Sequence, residues 1–222
     1  LNLVTGVLRT MEQLELNISD LNLSNLEARR FGEIVFLAGD RTWAAACYEY
    51  ALEKAPREVS TLRSLSRLNR ESGNEEKLRT NLENLLEATP DDPELLREHA
   101  RILTKAGDAA AEKGLRRLEA MGIETAEDKS MLASLAARAG DTDGALQQIE
   151  AAIASNPTGE DGLRKAELHL ARNERGLGIT AVDEAIALDR QSGPAWSIRA
   201  QLLTGESGRT EEALKAAVHA VA

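Results

Sequence analysis

Residues 59–92 read VSTLRSLSRLNRESGNEEKLRTNLENLLEATPDD, and two helices joined by a tight turn can be traced through them. Leu62, Leu65, Ser66 and Asn69 recur at the three- and four-residue spacing of one helical face, and so do Leu78, Leu82, Leu85 and Leu86. Between the two stripes stands Gly73-Asn74. Glycine takes the left-handed position that ends one helix, and asparagine caps the next. The same kind of pair recurs as Gly39-Asp40, Gly107-Asp108 and Gly140-Asp141, at steps of 34, 34 and 33 residues.

A fixed period of this length marks stacked helical hairpins, because a lone hairpin cannot cover both of its apolar stripes. The period divides the chain into units at 25–58, 59–92, 93–125, 126–158, 159–192 and 193–222, each with a first helix (A) and a second (B). The prolines agree: Pro56, Pro90 and Pro157 follow helix B, while Pro93 and Pro194 open helix A. Unit three is one residue short near Ala110-Ala111, and unit five has Asn173-Glu174 where the turn glycine is expected. Residues 1–24 carry Leu3, Val7, Met11 and Leu14 at helical spacing. They are expected to form an N-terminal capping helix, or helix B of an earlier repeat.

The 222 residues are 42% hydrophobic and 29% charged, enough for a packed core, and 3% aromatic, which suits Ala/Leu-rich helices. The net charge of -10 argues against nucleic acid as a partner, and no apolar run is long enough to insert into a membrane. No signal peptide is visible, so cytoplasm is favoured, with a bacterial periplasm as the alternative if the chain is part of a larger envelope protein. The lone Cys47 is expected to serve packing.

No catalytic or metal-binding pattern stands out. His99, His169 and His219 lie far apart, and no phosphate-binding loop, nucleophile elbow or Cys-x-x-Cys pair is present. Gly176-Leu177-Gly178 lacks the preceding strand and third glycine of a nucleotide site and reads as a turn. Glu75-Glu76, Asp91-Asp92 and Glu211-Glu212 fall at expected helix starts, where they favour the helix dipole. Neither an enzyme nor a cofactor or metal is expected.

Unit one offers Gly32, Gly39, Ala44, Tyr48, Ala51 and Pro56, unit four offers Leu132, Ala133, Gly140, Ala145, Ile149, Ala152 and Pro157, and unit six carries Trp196, Ala200, Ala213, Ala217 and Ala220. In this the chain resembles the tetratricopeptide repeat (TPR) family over roughly residues 25–222. The resemblance implies an all-α fold, a right-handed α-solenoid of about six helix-turn-helix hairpins plus the N-terminal helix. Small pairs such as Gly32/Ala44, Ala133/Ala145 and Ala200/Ala213 then let helix A lie closely on helix B.

The resemblance also implies a concave groove lined by helix A at unit positions 2, 5, 9, 12 and 13. Position 5 carries Arg29, Arg63 and Arg97; position 9 carries Arg67 and Arg101; position 12 carries Arg70; and position 13 carries Lys105 and Arg138. Phe36 falls beside this basic strip. An acidic partner segment is expected there, since arginine binds carboxylates through paired, charge-assisted hydrogen bonds. Glu71, Glu94 and Glu98 lie three or four residues from several of these arginines, and pairing within one helix is the competing expectation. The function implied is a non-catalytic protein–protein interaction scaffold. The alternatives are a partner-recruiting segment of a larger enzyme or of a bacterial envelope or polysaccharide-export machine, and a structural module that self-associates through exposed terminal hairpins.

Overall fold

The computed structural model describes residues 2–13, 15–204 and 206–221, and these are helical with short turns. The helices are α1 (Asn2–Gln13), α2 (Asn25–Leu37), α3 (Arg41–Lys54), α4 (Val59–Glu71), α5 (Glu75–Ala88), α6 (Pro93–Ala106) and α7 (Ala111–Ala120). They continue with α8 (Ala126–Arg138), α9 (Thr142–Ser155), α10 (Gly159–Ala171), α11 (Arg175–Leu188), α12 (Gly193–Thr204) and α13 (Thr210–Val221). Two compact units are formed, Leu1–Ile102 and Leu103–Ala222, the division falling within α6.

Local chemistry sets the ends of these helices. Ser24 and Glu27 form a reciprocal capping box on α2, and Thr125 with Asp128 does the same on α8. In the hairpin turns, Gly39, Gly73 and Gly140 have φ of 93°, 71° and 82°. The next side chains cap the following helix: Asp40 accepts from the Trp43 N–H at 3.0 Å, Asn74 from Lys77 at 3.2 Å and Asp141 from Gly144 at 2.9 Å. The third turn differs. Gly107 is left-handed, but Asp108 accepts from the Ala110 N–H and α7 starts only at Ala111, spanning 10 residues where α3 and α5 span 14. In the fifth, Asn173 adopts the left-handed conformation with φ 60°, a role its short polar side chain tolerates.

In the first unit, Ala28, Val35, Ala44, Cys47, Tyr48 and Ala51 close α2 onto α3, and Leu62, Leu78, Leu82, Leu85 and Leu95 form the next layer. Gly32 is needed for this contact, because a Cβ there would lie 2.8 Å from Tyr48 Cε1. The amphipathic reading of α1 needs correction. Met11 is buried as expected, but Val7 is exposed and its neighbour Leu8 is buried in its stead. Leu14 and the side chain of Leu3 lie outside the described residues.

In the second unit Ala133 and Ala145 pack with Ile149 and Leu168, and Ala166, Val182, Leu202 and Leu203 anchor the last two hairpins. Gly176-Leu177-Gly178 is not a turn: all three residues lie in the first coil of α11. Gly178 lets α11 approach α12, since a Cβ there would meet Leu202 Cδ2 at 2.9 Å.

Candidate functional site

The first unit brings several of the expected groove residues together. Arg29, Glu33 and Phe36 share a face of α2, and Arg63, Arg67 and Arg70 share one of α4, each set spaced by three or four residues. The two faces meet through an aromatic contact: the Arg67 guanidinium lies 4.5 Å from the Phe36 ring centroid, with Arg41 of α3 at 6.0 Å. Stacking of this kind restrains guanidinium orientation while leaving its N–H groups directed outward. Phe36 is half-buried and Arg67 exposed.

The arginines around this stack are matched by carboxylates, and mostly not those of the same helix. Arg29 pairs with Glu33 along α2. Arg63 instead donates to Asp92 at 2.9 Å, and Arg70 makes a forked contact to both oxygens of Glu98 at 2.5 and 2.6 Å. Arg41 reaches Glu71 at 3.2 Å, and on the helix B side Lys77 reaches Glu49 at 2.7 Å. These four cross-hairpin pairs span 28 to 30 residues, one repeat less about a helical turn. Arg67 differs from these neighbours: it makes no ion pair among the described residues, and Phe36 is its partner. Arg97, half-buried, and Arg101, exposed, continue the strip on α6, where Arg97 borders a cleft with Asp91, Asp92 and Glu94.

Asp92 has two tasks, since it also accepts from the N–H groups of Glu94 and Leu95 at the start of α6. Partial burial pushes its carboxyl up. The hydrogen bond from Arg63, the two backbone N–H groups and the Arg63 charge outweigh that, so the pKa ends below the ordinary carboxylate value. A depressed carboxylate contributes stability that is complete above its unfolded pKa and is lost as pH falls through the folded one. Asp92→Asn keeps the cap but loses the charge, and is expected to cost about 0.2–1 kcal/mol at neutral pH. Thermal melts should show that difference shrink to nothing below the carboxylate range; a deficit independent of pH would contradict the ion-pair account.

Lys105 and Arg138 belong to the second unit. There Arg138 Nη1 donates to the Thr104 carbonyl at 2.8 Å, serving one of the last carbonyls of α6, and its guanidinium lies over Gly107. That geometry explains Arg138 as a helix-end partner, which repeat position alone does not convey. Arg172, at the end of α10, is paired with Asp143 and Glu174. Glu174 also holds Nδ1 of the buried His169 at 2.8 Å. Among the described residues, no three His, Cys, Asp or Glu side chains are arranged to hold a metal ion, and no helix is long and apolar enough to cross a membrane. Burial pushes the Cys47 thiol up to about 12, with the Asp40 charge adding to it.

No protein-family model matches this sequence, and no curated protein matches it. Solved structures do match. The structure of MamA superimposes with a TM-score of 0.64 at 18% identity, over 73% of this chain and 90% of that one. YrrB, described as a TPR protein with an unusual peptide-binding site, gives 0.62 at 12% identity over 79% and 93%. A tetratricopeptide repeat protein from Parabacteroides merdae gives 0.56 at 14% identity over 99% and 91%. The chain therefore has the tetratricopeptide-repeat fold: an all-α helical-repeat protein built from stacked hairpins.

Proposed function

We propose that the chain is a non-catalytic scaffold that binds an acidic segment of a protein partner along the helix A face of its first unit. The observation that supports this most is Arg67, an exposed cation held against Phe36 and without a carboxylate of its own. A half-buried aromatic beside an oriented guanidinium has the composition of an interface hot spot. The flanking arginine pairs would keep the face polar until a partner arrives, and a partner carboxylate could exchange with Asp92 or Glu98 on Arg63 or Arg70. YrrB, of like fold, is described as having a peptide-binding site, which fits this reading. Immobilised protein exposed to its native extract at rising salt tests it. Proteins retained at low salt and released at high salt through acidic segments are expected, because screening shortens to about 3 Å at 1 M. Retention indifferent to salt contradicts an acidic occupant.

A second reading, self-association, is favoured by α13. Leu214, Val218 and Val221 repeat at i, i+4 and i+7 and are exposed, Val221 at 87%. Sedimentation equilibrium over a wide concentration range should show a mass that rises with concentration and returns to the monomer in Leu214→Glu/Val218→Glu. A strictly monomeric wild type contradicts this reading.

A further inference from the structure

The other side of α4 carries a feature that the arginine groove does not use. At about 100° per residue, Leu65 lies roughly 140–160° around α4 from Arg63, Arg67 and Arg70, and Asn69 roughly 100–160°. There α3, α4 and α5 border a cleft of about 740 Å³. Its walls include Asn69 and Asn81, which are 3% and 7% exposed. Neither Nδ2 group has a hydrogen-bond partner. A buried N–H left unpaired is costly to the folded state, and two in one cleft are unusual.

The repeat register sharpens the point. Asn69 stands at unit position 11, where units one, three and six place the buried apolar Val35, Leu103 and Leu203, while unit five places the buried His169, whose Nδ1 is held by Glu174; the Asn69 amide has no such partner. Around the mouth, Glu49 is held by Lys77, whereas Glu53 and Glu76 make no ion pair among the described residues. The cleft thus offers unpaired amide donors inside and unmatched carboxylates outside. The carboxamide torsion of asparagine is broad, so each Nδ2 can turn toward the cleft without leaving its rotamer.

We propose that this cleft is a second protein-binding site, taking an extended segment that bears lysine or arginine. Backbone carbonyls of the segment accept from Asn69 and Asn81, while its cationic side chain meets Glu53 and Glu76. The site rests on α3, α4 and α5 and not on the groove, so either can fail alone.

The probe is the tripeptide acetyl-Ala-Lys-Ala-amide, titrated into ¹⁵N-labelled protein while the side-chain NH₂ signals of Asn69 and Asn81 are followed. Both pairs are expected to shift saturably, and to do so equally in Arg67→Glu. Acetyl-Ala-Glu-Ala-amide, lacking the cation, and n-butylamine, lacking the carbonyls, should leave them in place. Glu53→Gln/Glu76→Gln, both surface changes, should weaken the tripeptide about tenfold. Asn69→Leu should raise the thermal midpoint while removing the response, whereas a purely structural asparagine predicts a lower midpoint. The proposal is overturned if the two amide pairs do not move, if n-butylamine moves them equally, if shifts scatter over the acidic surface without saturating, or if Asn69→Leu binds like wild type.

Discussion

Arg67→Glu is expected to abolish partner capture by the first unit while leaving its fold intact. The side chain is exposed and makes no ion pair among the described residues, so its loss breaks no buried network; what disappears is the stack on Phe36. Exposed cation–π contacts are worth about 0.5–1 kcal/mol, a small share of a repeat domain's stability. Binding should respond far more. Reversing a charge at the centre of an interface removes an attractive contact and adds a repulsive one, and hot-spot changes reach about 2–4 kcal/mol, or roughly 30- to 1,000-fold in Kd. Phe36→Ala should weaken capture by about tenfold or more without altering its salt dependence, since it removes apolar contact and the platform that orients Arg67. Titration calorimetry against the captured segment, with circular dichroism as the folding control, separates these effects. Equal affinity in wild type and Arg67→Glu would remove the groove from the account.

Leu82→Ala is expected to have the largest effect on stability. Leu82 is fully buried on α5 among Leu62, Leu78, Leu85 and Leu95. Truncating such a side chain costs about 2–5 kcal/mol, the spread depending on how far the cavity collapses. In a repeat array each hairpin leans on its neighbours, so the loss should be felt locally. Hydrogen exchange should accelerate most in α4 and α5 and least in α10 and α11. A change below about 1 kcal/mol, or uniform acceleration, would mean that this leucine layer is not the core of its hairpin.

Much of the fold is written in short-range signals. Gly39, Gly73 and Gly140 end helices because they tolerate positive φ, and Asp40, Asn74 and Asp141 cap the next helix from one residue away. Such contacts lie within a few residues, so sequence reveals them. The face of α1 was less legible. Its apolar residues fit more than one stripe, and contacts with Val35, Tyr48 and Leu65 select Leu8. The late start of α7 likewise depends on how a one-residue deletion is shared between turn and helix.

The basic strip was visible as a row, but its electrostatics were not. Intrahelical spacing suggests Glu94 and Glu98 as local partners for the arginines, whereas Arg63 and Arg70 reach Asp92 and Glu98 from the preceding hairpin. Those partners lie 29 and 28 residues away, at a distance that only the stacked repeat makes short. Searching for opposite charges at the repeat length minus a helical turn would have found them. Asn69 illustrates the converse problem. Its spacing places it correctly in the buried stripe, but spacing does not reveal that its amide lacks a partner.

The most direct test places a photo-crosslinking benzoylphenylalanine at position 36 and irradiates the protein in its native extract. A covalent adduct with an acidic segment of another protein, absent at high salt and absent when Arg67→Glu is added, is the predicted result. An adduct that persists in Arg67→Glu, or that maps to a segment without acidic residues, would contradict the groove as the binding surface.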